Sequence, residues 1–323
     1  MHTHIAPIND SSDWQVKALA ILRAGGVVGV PTETVYGLAG DATRSDAVAS
    51  IYAAKARPSH NPLIAHVSDL QMAEHYAIFD GRARKLAEAF WPGPLTLVLP
   101  LMGGAGLAPA VTAGGDSLAV RCPRGPLRDL VQALGHPLAA PSANLSGHVS
   151  STSAHHVLSD LQGRIPLILD GGPTLMGLES TILDMRPDVP VLLRPGAVDI
   201  DDLEAVFGAP LIATTEDQAD APVAPGQLAS HYAPRVAVRL NVLPHELRLG
   251  EAYLGFGKNN LIDHMNLSPN GDVREAAEGF YAALRSLDQQ RPSAIAIAPI
   301  PNGGLGQALA DRLRRAAAPR GIL

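Results

Sequence analysis

Cys122 is the only cysteine in 323 residues. An intrachain disulfide framework and a cysteine-rich zinc site are therefore excluded, and a reducing, cytoplasmic setting is expected. No apolar run approaches the roughly 18 residues that span a bilayer. The start, Met1-His2-Thr3-His4, lacks the basic n-region and apolar core of a secretory signal. Cationic residues are in deficit, 25 Lys and Arg against 31 Asp and Glu, for a net charge of −6. A chain of that sign does not hold nucleic acid by bulk electrostatics. Motifs are missing as well: there is no G-x-x-x-x-G-K-[ST] phosphate loop, no H-E-x-x-H zinc helix and no G-x-S-x-G elbow. Gly304-Leu305-Gly306 lacks the third glycine of a dinucleotide fingerprint. His155 and His156 would face different directions on a helix, so exposure is expected rather than a shared metal. Cys122, between a strand and Pro123, is expected to be a small buried hydrophobe and not a nucleophile.

What remains is an ordinary globular composition, 46% hydrophobic and 17% charged. Its length suits one large or two medium domains. Charge is unevenly spread: −6 over residues 1–207, −3 over 208–234 and +3 over 235–323. The middle segment, acidic and punctuated by Pro222 and Pro225, has the composition of a linker. The expected organisation is a large domain at 1–207, a linker at 208–234 and a small α/β domain at 235–323.

In the large domain, β-type runs at 27–30, 63–67, 95–99, 118–121, 166–169 and 181–183 alternate with helical patterns. Those helices are predicted at 13–23, 45–55, 81–90, 127–134 and 152–161. The small domain repeats the pattern, with strands at 236–240, 252–256 and 294–298 and helices at 272–287 and 305–317. Interleaving of this kind indicates α/β architecture.

Chemistry-bearing residues gather at the element ends. Pro31-Thr32-Glu33-Thr34-Val35-Tyr36-Gly37-Leu38 follows a strand and is dense in hydroxyls. The helix 45–55 ends in Lys55-Ala56-Arg57-Pro58, in a chain with only four lysines. Strands end in Arg121 and in Leu193-Arg194-Pro195-Gly196. Ala140-Pro141-Ser142-Ala143-Asn144 offers hydroxyl, amide and backbone donors. Each motif alone is explained by turn and capping chemistry. Cations repeatedly placed beside hydroxyl-rich loops at strand ends suggest a site for a polyanion.

On these motifs, together with Asn61-Pro62-Leu63-Ile64, Phe90-Trp91-Pro92-Gly93-Pro94-Leu95-Thr96 and Glu179-Ser180-Thr181, the chain resembles threonylcarbamoyl-AMP synthases of the YrdC/TsaC type. Ala224-Pro225-Gly226, His231-Tyr232-Ala233-Pro234 and Pro301-Asn302-Gly303-Gly304-Leu305-Gly306 with Arg312, Leu313 and Arg315 point to the family's long form, which carries an extra C-terminal domain. The resemblance implies a YrdC-like twisted mixed sheet with flanking helices, plus a small Rossmann-like α/β domain. It implies a nucleotidyltransferase that joins L-threonine, bicarbonate (or CO2) and ATP into threonylcarbamoyl-adenylate and diphosphate, for the threonylcarbamoyladenosine modification of tRNA.

By the same resemblance Lys55 and Arg57 are catalytic. ATP contacts are Lys55, Arg57, Asn61, Ser117, Ser142, Asn144, Ser150, Arg194 and Tyr232, and threonine contacts are Thr34, His66, Arg121, Ala140 and Ser180. Arg121 suits the threonine carboxylate because its fork binds bidentately. Magnesium is expected on the triphosphate, with no dedicated protein cage. The linker is expected to fold over the site. The implied partners are downstream threonylcarbamoyl transferase proteins and at most a weak tRNA contact, with no membrane. Two departures stand out. Ala56 replaces the family's usual glycine, and Gln227-Leu228-Ala229-Ser230 replaces its usual methionine and basic residue before His231. An RNA-binding module and a carbamoyltransferase-related domain are the alternatives. The charge of residues 1–207 weighs against the first, and the single cysteine against the zinc-finger modules that accompany the second.

Overall fold

The computed structural model describes residues 2–9, 11–213, 224–225, 231–258 and 264–319. Its strands in chain order are β1 (His4–Pro7), β2 (Val28–Val30), β3 (Gly37–Asp41), β4 (Ile64–His66), β5 (Leu95–Pro100), β6 (Ser117–Arg121), β7 (Leu138–Ala139), β8 (Leu167–Asp170), β9 (Thr181–Asp184), β10 (Val191–Arg194), β11 (Ile212–Ala213), β12 (Ala237–Arg239), β13 (Ala252–Gly255), β14 (Met265–Asn266) and β15 (Ala294–Ile297). The helices are α1 (Asp13–Arg23), α2 (Ser45–Lys55), α3 (Leu70–Glu74), α4 (Gly81–Phe90), α5 (Pro126–Leu134), α6 (Ala154–Leu161), α7 (Ile200–Phe207), α8 (Val273–Gln289) and α9 (Leu305–Ala317).

Five helices, α3, α4, α6, α7 and α8, start where a short polar side chain accepts from an orphan amide. Asp80 accepts from the Ala83 amide at the start of α4, Ser153 from His156 at α6, and Asp272 from Arg274 and Glu275 at α8. Helices persist because one stripe is apolar and buried, as with Val48 and Ile51 on α2 or Phe280, Leu284 and Leu287 on α8.

Two sheets result. The larger runs β1-β8-β2-β3-β7-β4-β6-β5-β9-β10-β11 and is mixed. Its β4–β6 and β5–β9 pairs are parallel, while β5–β6, β9–β10 and both β7 pairs are antiparallel. The smaller sheet, β12-β15-β13-β14, is parallel throughout, with α8 packed on β13 and α9 on β12. The α/β architecture with two sheets is as expected. The helical readings over 13–23, 45–55, 81–90 and 305–317 coincide with α1, α2, α4 and α9.

Two cations of residues 235–323 find counterparts where α8 and α9 meet the first segment. Arg285 on α8 pairs with Asp160 at 2.9 Å and donates to the carbonyls of Val149 and Ser150. Arg312 on α9 pairs with Glu179 at 2.8 Å. Both carboxylates belong to the acidic first segment.

Cys122 is buried, with its thiol pushed up to about 11 chiefly by burial, as a packing residue should be. His155 is exposed and His156 half-buried against Thr152.

Candidate active site

The turn between β2 and β3 is tied by one hydroxyl. Thr32 Oγ1 accepts from the amides of Thr34 and Val35 and donates to the Val35 carbonyl, a side-chain substitute for a backbone turn. This points Thr34 toward the strand ends. His66 and Arg121 face each other in register at the carboxyl ends of parallel β4 and β6, where sheets of this class place ligands. Arg121 contacts Thr34 Oγ1 at 3.0 Å, Glu33 Oε2 at 2.8 Å and the Gly93 carbonyl at 3.2 Å.

Across from them Ser180 enters β9, and Arg194 ends β10 beside it. Arg194 donates to the Ser180 carbonyl at 2.9 and 3.1 Å and to its hydroxyl at 3.1 Å. The Ser180 hydroxyl also meets Thr96 Oγ1 at 2.7 Å. Gly196 is required where the chain turns back: a Cβ there would lie 2.4 Å from the Thr181 nitrogen and 2.5 Å from the Glu179 carbonyl.

The third wall is the loop after β7. Lys55, at the end of α2, lies beneath it with 1% exposure. Its Nζ donates to the carbonyls of Ser142 at 2.5 Å and Asn144 at 2.6 Å. Arg57 holds Asn61 through its carbonyl at 3.1 Å and its Oδ1 at 2.6 Å, and donates to the Pro62 carbonyl at 2.8 Å. Between the two cations Ala56 adopts a left-handed conformation, φ 49° and ψ 44°. This conformation penalises a Cβ and would suit glycine better. Ala56→Gly is expected to stabilise the chain by about 0.5–1 kcal/mol, the relieved strain less the entropy gained by the unfolded chain. Urea unfolding checks this, and an unchanged or lower midpoint would refute it.

These walls enclose one pocket, lined by Thr34, Val35, Arg57, Ile64, His66, Arg121, Ala140, Pro141, Ser142, Glu179, Ser180, Arg194, Pro225, His231 and Tyr232. All five residues expected at threonine are here, and so are Arg57, Ser142, Arg194 and Tyr232 from the ATP set. Lys55, Asn61 and Asn144 sit behind the wall. Ser150 is also set back, its hydroxyl 2.5 Å from Glu179. Ser117 is at the far end of β6 from Arg121, paired with Pro100, and lies outside the pocket. The linker reaches the pocket: Pro225 accepts from Arg194 at 3.2 Å, and His231 and Tyr232 are buried. The Gln227-Leu228-Ala229-Ser230 departure lies outside the described residues.

Sequence reasoning passed over Glu33, Glu179 and His231, although all three stand inside the quoted motifs. It also gave no role to Tyr281 and Arg312, whose partner Glu179 is more than a hundred positions away.

The electrostatics are unusual for an interior. Lys55, Arg57, Arg121, Arg194 and Arg312 are all buried, against three buried carboxylates: Glu179 at the pocket, Glu33 behind Arg121, and Asp311 beside Arg312. Burial, then repulsion from Arg57, holds the Lys55 ammonium well below its ordinary value. Burial lowers Arg57 to about 10, so it stays charged at neutral pH. His66 is lowered to about 3 by burial and by Arg121, and His231 to about 3 by burial, so both are neutral. Burial would raise Glu179, but Arg312 and Arg194 outweigh it and hold the carboxylate at about 2. Polar atoms of Asn61, His66, Asn144 and His231 lack a hydrogen-bond partner among the described residues. Buried cation excess with unpaired donors and acceptors is costly until an anion arrives.

Among the described residues no cluster of three His, Cys, Asp or Glu side chains could cage a metal. The pocket carboxylate Glu179 is already engaged by Arg312 and Tyr281, and Glu33, outside the pocket lining, by Arg121.

Residues 20–196 match the Sua5/YciO/YrdC family model, described as telomere recombination, and residues 198–318 match the model of the threonylcarbamoyl-AMP synthase C-terminal domain. The chain is 41% identical to a threonylcarbamoyl-AMP synthase of Bacillus subtilis, over 97% of this chain and 95% of that one. It is 38% identical to one of Pyrococcus abyssi, over 95% of each. The structure superposes on a crystal structure of P. abyssi Sua5 complexed with L-threonine at a TM-score of 0.89, with 35% identity and 98% of both chains covered.

Proposed function

The chain belongs to the threonylcarbamoyl-AMP synthase family, and from that membership and the pocket we infer that it makes L-threonylcarbamoyl-adenylate and diphosphate from L-threonine, bicarbonate or CO2, and ATP. It is a nucleotidyltransferase serving tRNA modification. The observation that carries this reading to the residues is the buried excess of cations around a pocket with the guanidinium of Arg121 on one side. The reaction brings two anions together, a carbamate and a triphosphate, and fixed cations supply what their repulsion costs.

In this reading Arg121 takes the threonine carboxylate, helped by Thr34, His66, Ser180 and the backbone at Ala140. Neutral His66 presents a lone pair to the amino acid without adding charge. Arg57 and Arg194 face the phosphates together with Ser142 and Tyr232. Lys55 acts from behind, its Nζ fixing the Ser142 and Asn144 carbonyls; Asn61 and Asn144 hold that wall in shape, and Ser150 holds Glu179. Ser117 would meet only the end of the nucleotide farthest from threonine. Magnesium enters with ATP, held by phosphates and water, since the carboxylates at hand are occupied. The linker residues His231 and Tyr232 exclude water from a carbamate and an adenylate that hydrolyse readily.

No helix among the described residues is long and apolar enough to cross a membrane. We assign the chain to the cytoplasm, upstream of separate threonylcarbamoyl transferase proteins.

The test is incubation with ATP, bicarbonate and labelled threonine. Diphosphate release should require both co-substrates, and the label should appear in an adenylate. ATP hydrolysis indifferent to threonine would sink the reading.

A further inference from the structure

We propose that Arg312, with Tyr281 beside it, is a positioning residue of the adenylate-forming pocket: from the second domain it fixes Glu179 and seats Tyr232, so that the C-terminal domain completes the site. This rests on the functional reading above.

Arg312 is fully buried on α9. Its Nε donates to Glu179 Oε2 at 2.8 Å and its Nη1 to Asp311 at 2.6 Å. The guanidinium carbon lies 5.1 Å from the centre of the Tyr232 ring, within cation–π range. Tyr281 on α8 donates to Glu179 at 2.9 Å, and its ring lies 5.8 Å from that of Tyr232. One guanidinium therefore touches both a pocket carboxylate and the linker aromatic that covers the pocket. Glu179 passes the constraint on in two directions. It accepts from Ser150, and it precedes Ser180, to which Arg194 is anchored.

Docking of the two domains does not by itself require this arrangement. Arg285 already ties α8 to Asp160 and to the carbonyls of Val149 and Ser150. Arg312 differs in that its carboxylate partner lines the pocket. The groups facing Glu179 are Arg312 and Asp311 on α9, Tyr281 on α8, Arg194 on β10, and His231 and Tyr232 of the linker. With Arg312 in place Glu179 stays ionised at every working pH. Without it, burial is opposed chiefly by Arg194, and the carboxyl titrates upward.

The experiment measures threonine-dependent diphosphate release by the full chain between roughly pH 5.5 and 8.5 for wild type, Arg312→Gln, Arg312→Lys and Tyr281→Phe. Hydrogen exchange at residues 178–182 and 231–234 is followed in parallel. Arg312→Gln is expected to lose about tenfold in kcat/KM near pH 8 and more toward pH 6, with part of the loss restored by Arg312→Lys. Tyr281→Phe, which keeps the ring, is expected to lose about threefold with both segments exchanging faster. Wild-type kinetics in Arg312→Gln, or a loss that is flat with pH and not relieved by lysine, overturns the proposal. If Arg312→Gln does not fold, Tyr281→Phe decides: normal rates and normal exchange overturn it. Absence of threonine dependence in the wild type would sink the functional reading alone. Exchange would still decide whether Arg312 and Tyr281 hold the two segments.

Discussion

Arg57→Ala is expected to lower threonine-dependent diphosphate release at least tenfold, about 1.4 kcal/mol of barrier. The side chain is 9% exposed and keeps its charge, because burial brings it down only to about 10. It faces the pocket and grips Asn61 and Pro62 behind it. Alanine removes both the charge and the grip. Arg57→Lys separates them, because lysine keeps a cation but cannot make the two-pronged contact with Asn61. If charge is what counts, Arg57→Lys retains a substantial part of the rate, with the KM for ATP raised. Wild-type turnover in Arg57→Ala would remove this residue from the mechanism.

Stability is expected to fall steeply on mild acidification, by an amount on the order of 4 kcal/mol between pH 7 and pH 5. The main source is His66 and His231, buried neutral at about 3, where the unfolded chain has them near 6.5; half-buried His156, lowered to about 4 chiefly by burial, adds in the same direction. As pH drops from about 6.5 toward 3 the unfolded state takes up protons that the folded state refuses, so unfolding is favoured. Below the folded value the penalty is complete and constant. Glu179 acts in the same direction but only below about 4.5, since its folded value is depressed to about 2, and it contributes little above pH 5. Urea midpoints at the two pH values measure the effect. A midpoint that does not move would show that the two imidazoles titrate as free histidines and are not buried neutral.

Much of this molecule can be read from its sequence, for local reasons. Helices α2, α4 and α9 declare themselves through one apolar stripe and clear ends. Strand β3 does not. Gly37-Leu38-Ala39-Gly40-Asp41 contains two glycines and lacks β-branched residues, yet all five positions are buried between β2 and β7. Strands β1, β7, β11 and β14 are short or polar and exist because a neighbour supplies their hydrogen bonds. The pocket residues Thr34, Arg57, Arg121, Ser142 and Arg194 were legible because they stand in motifs that folding brings together. Glu33 and Glu179 stood in the same motifs, but a carboxylate facing a polyanion looks out of place until its arginine partner is seen. Arg312 stands in the C-terminal stretch that points to the long form, but the sequence gives it no task; only its burial against Glu179 does.

The ion pair between Arg121 and Glu33 has a consequence for selectivity. In the proposed function, an amino acid entering this pocket would meet a guanidinium whose charge is already shared, so its carboxylate would join by exchange, not by filling an empty cationic hole. A stray anion without further contacts gains little from such an exchange. On that proposal, only a ligand that also satisfied Thr34, His66 and Ser180 would gain enough to hold its place. Glu33 would then act as a resident competitor, setting the threshold of complementarity that an incoming carboxylate must exceed.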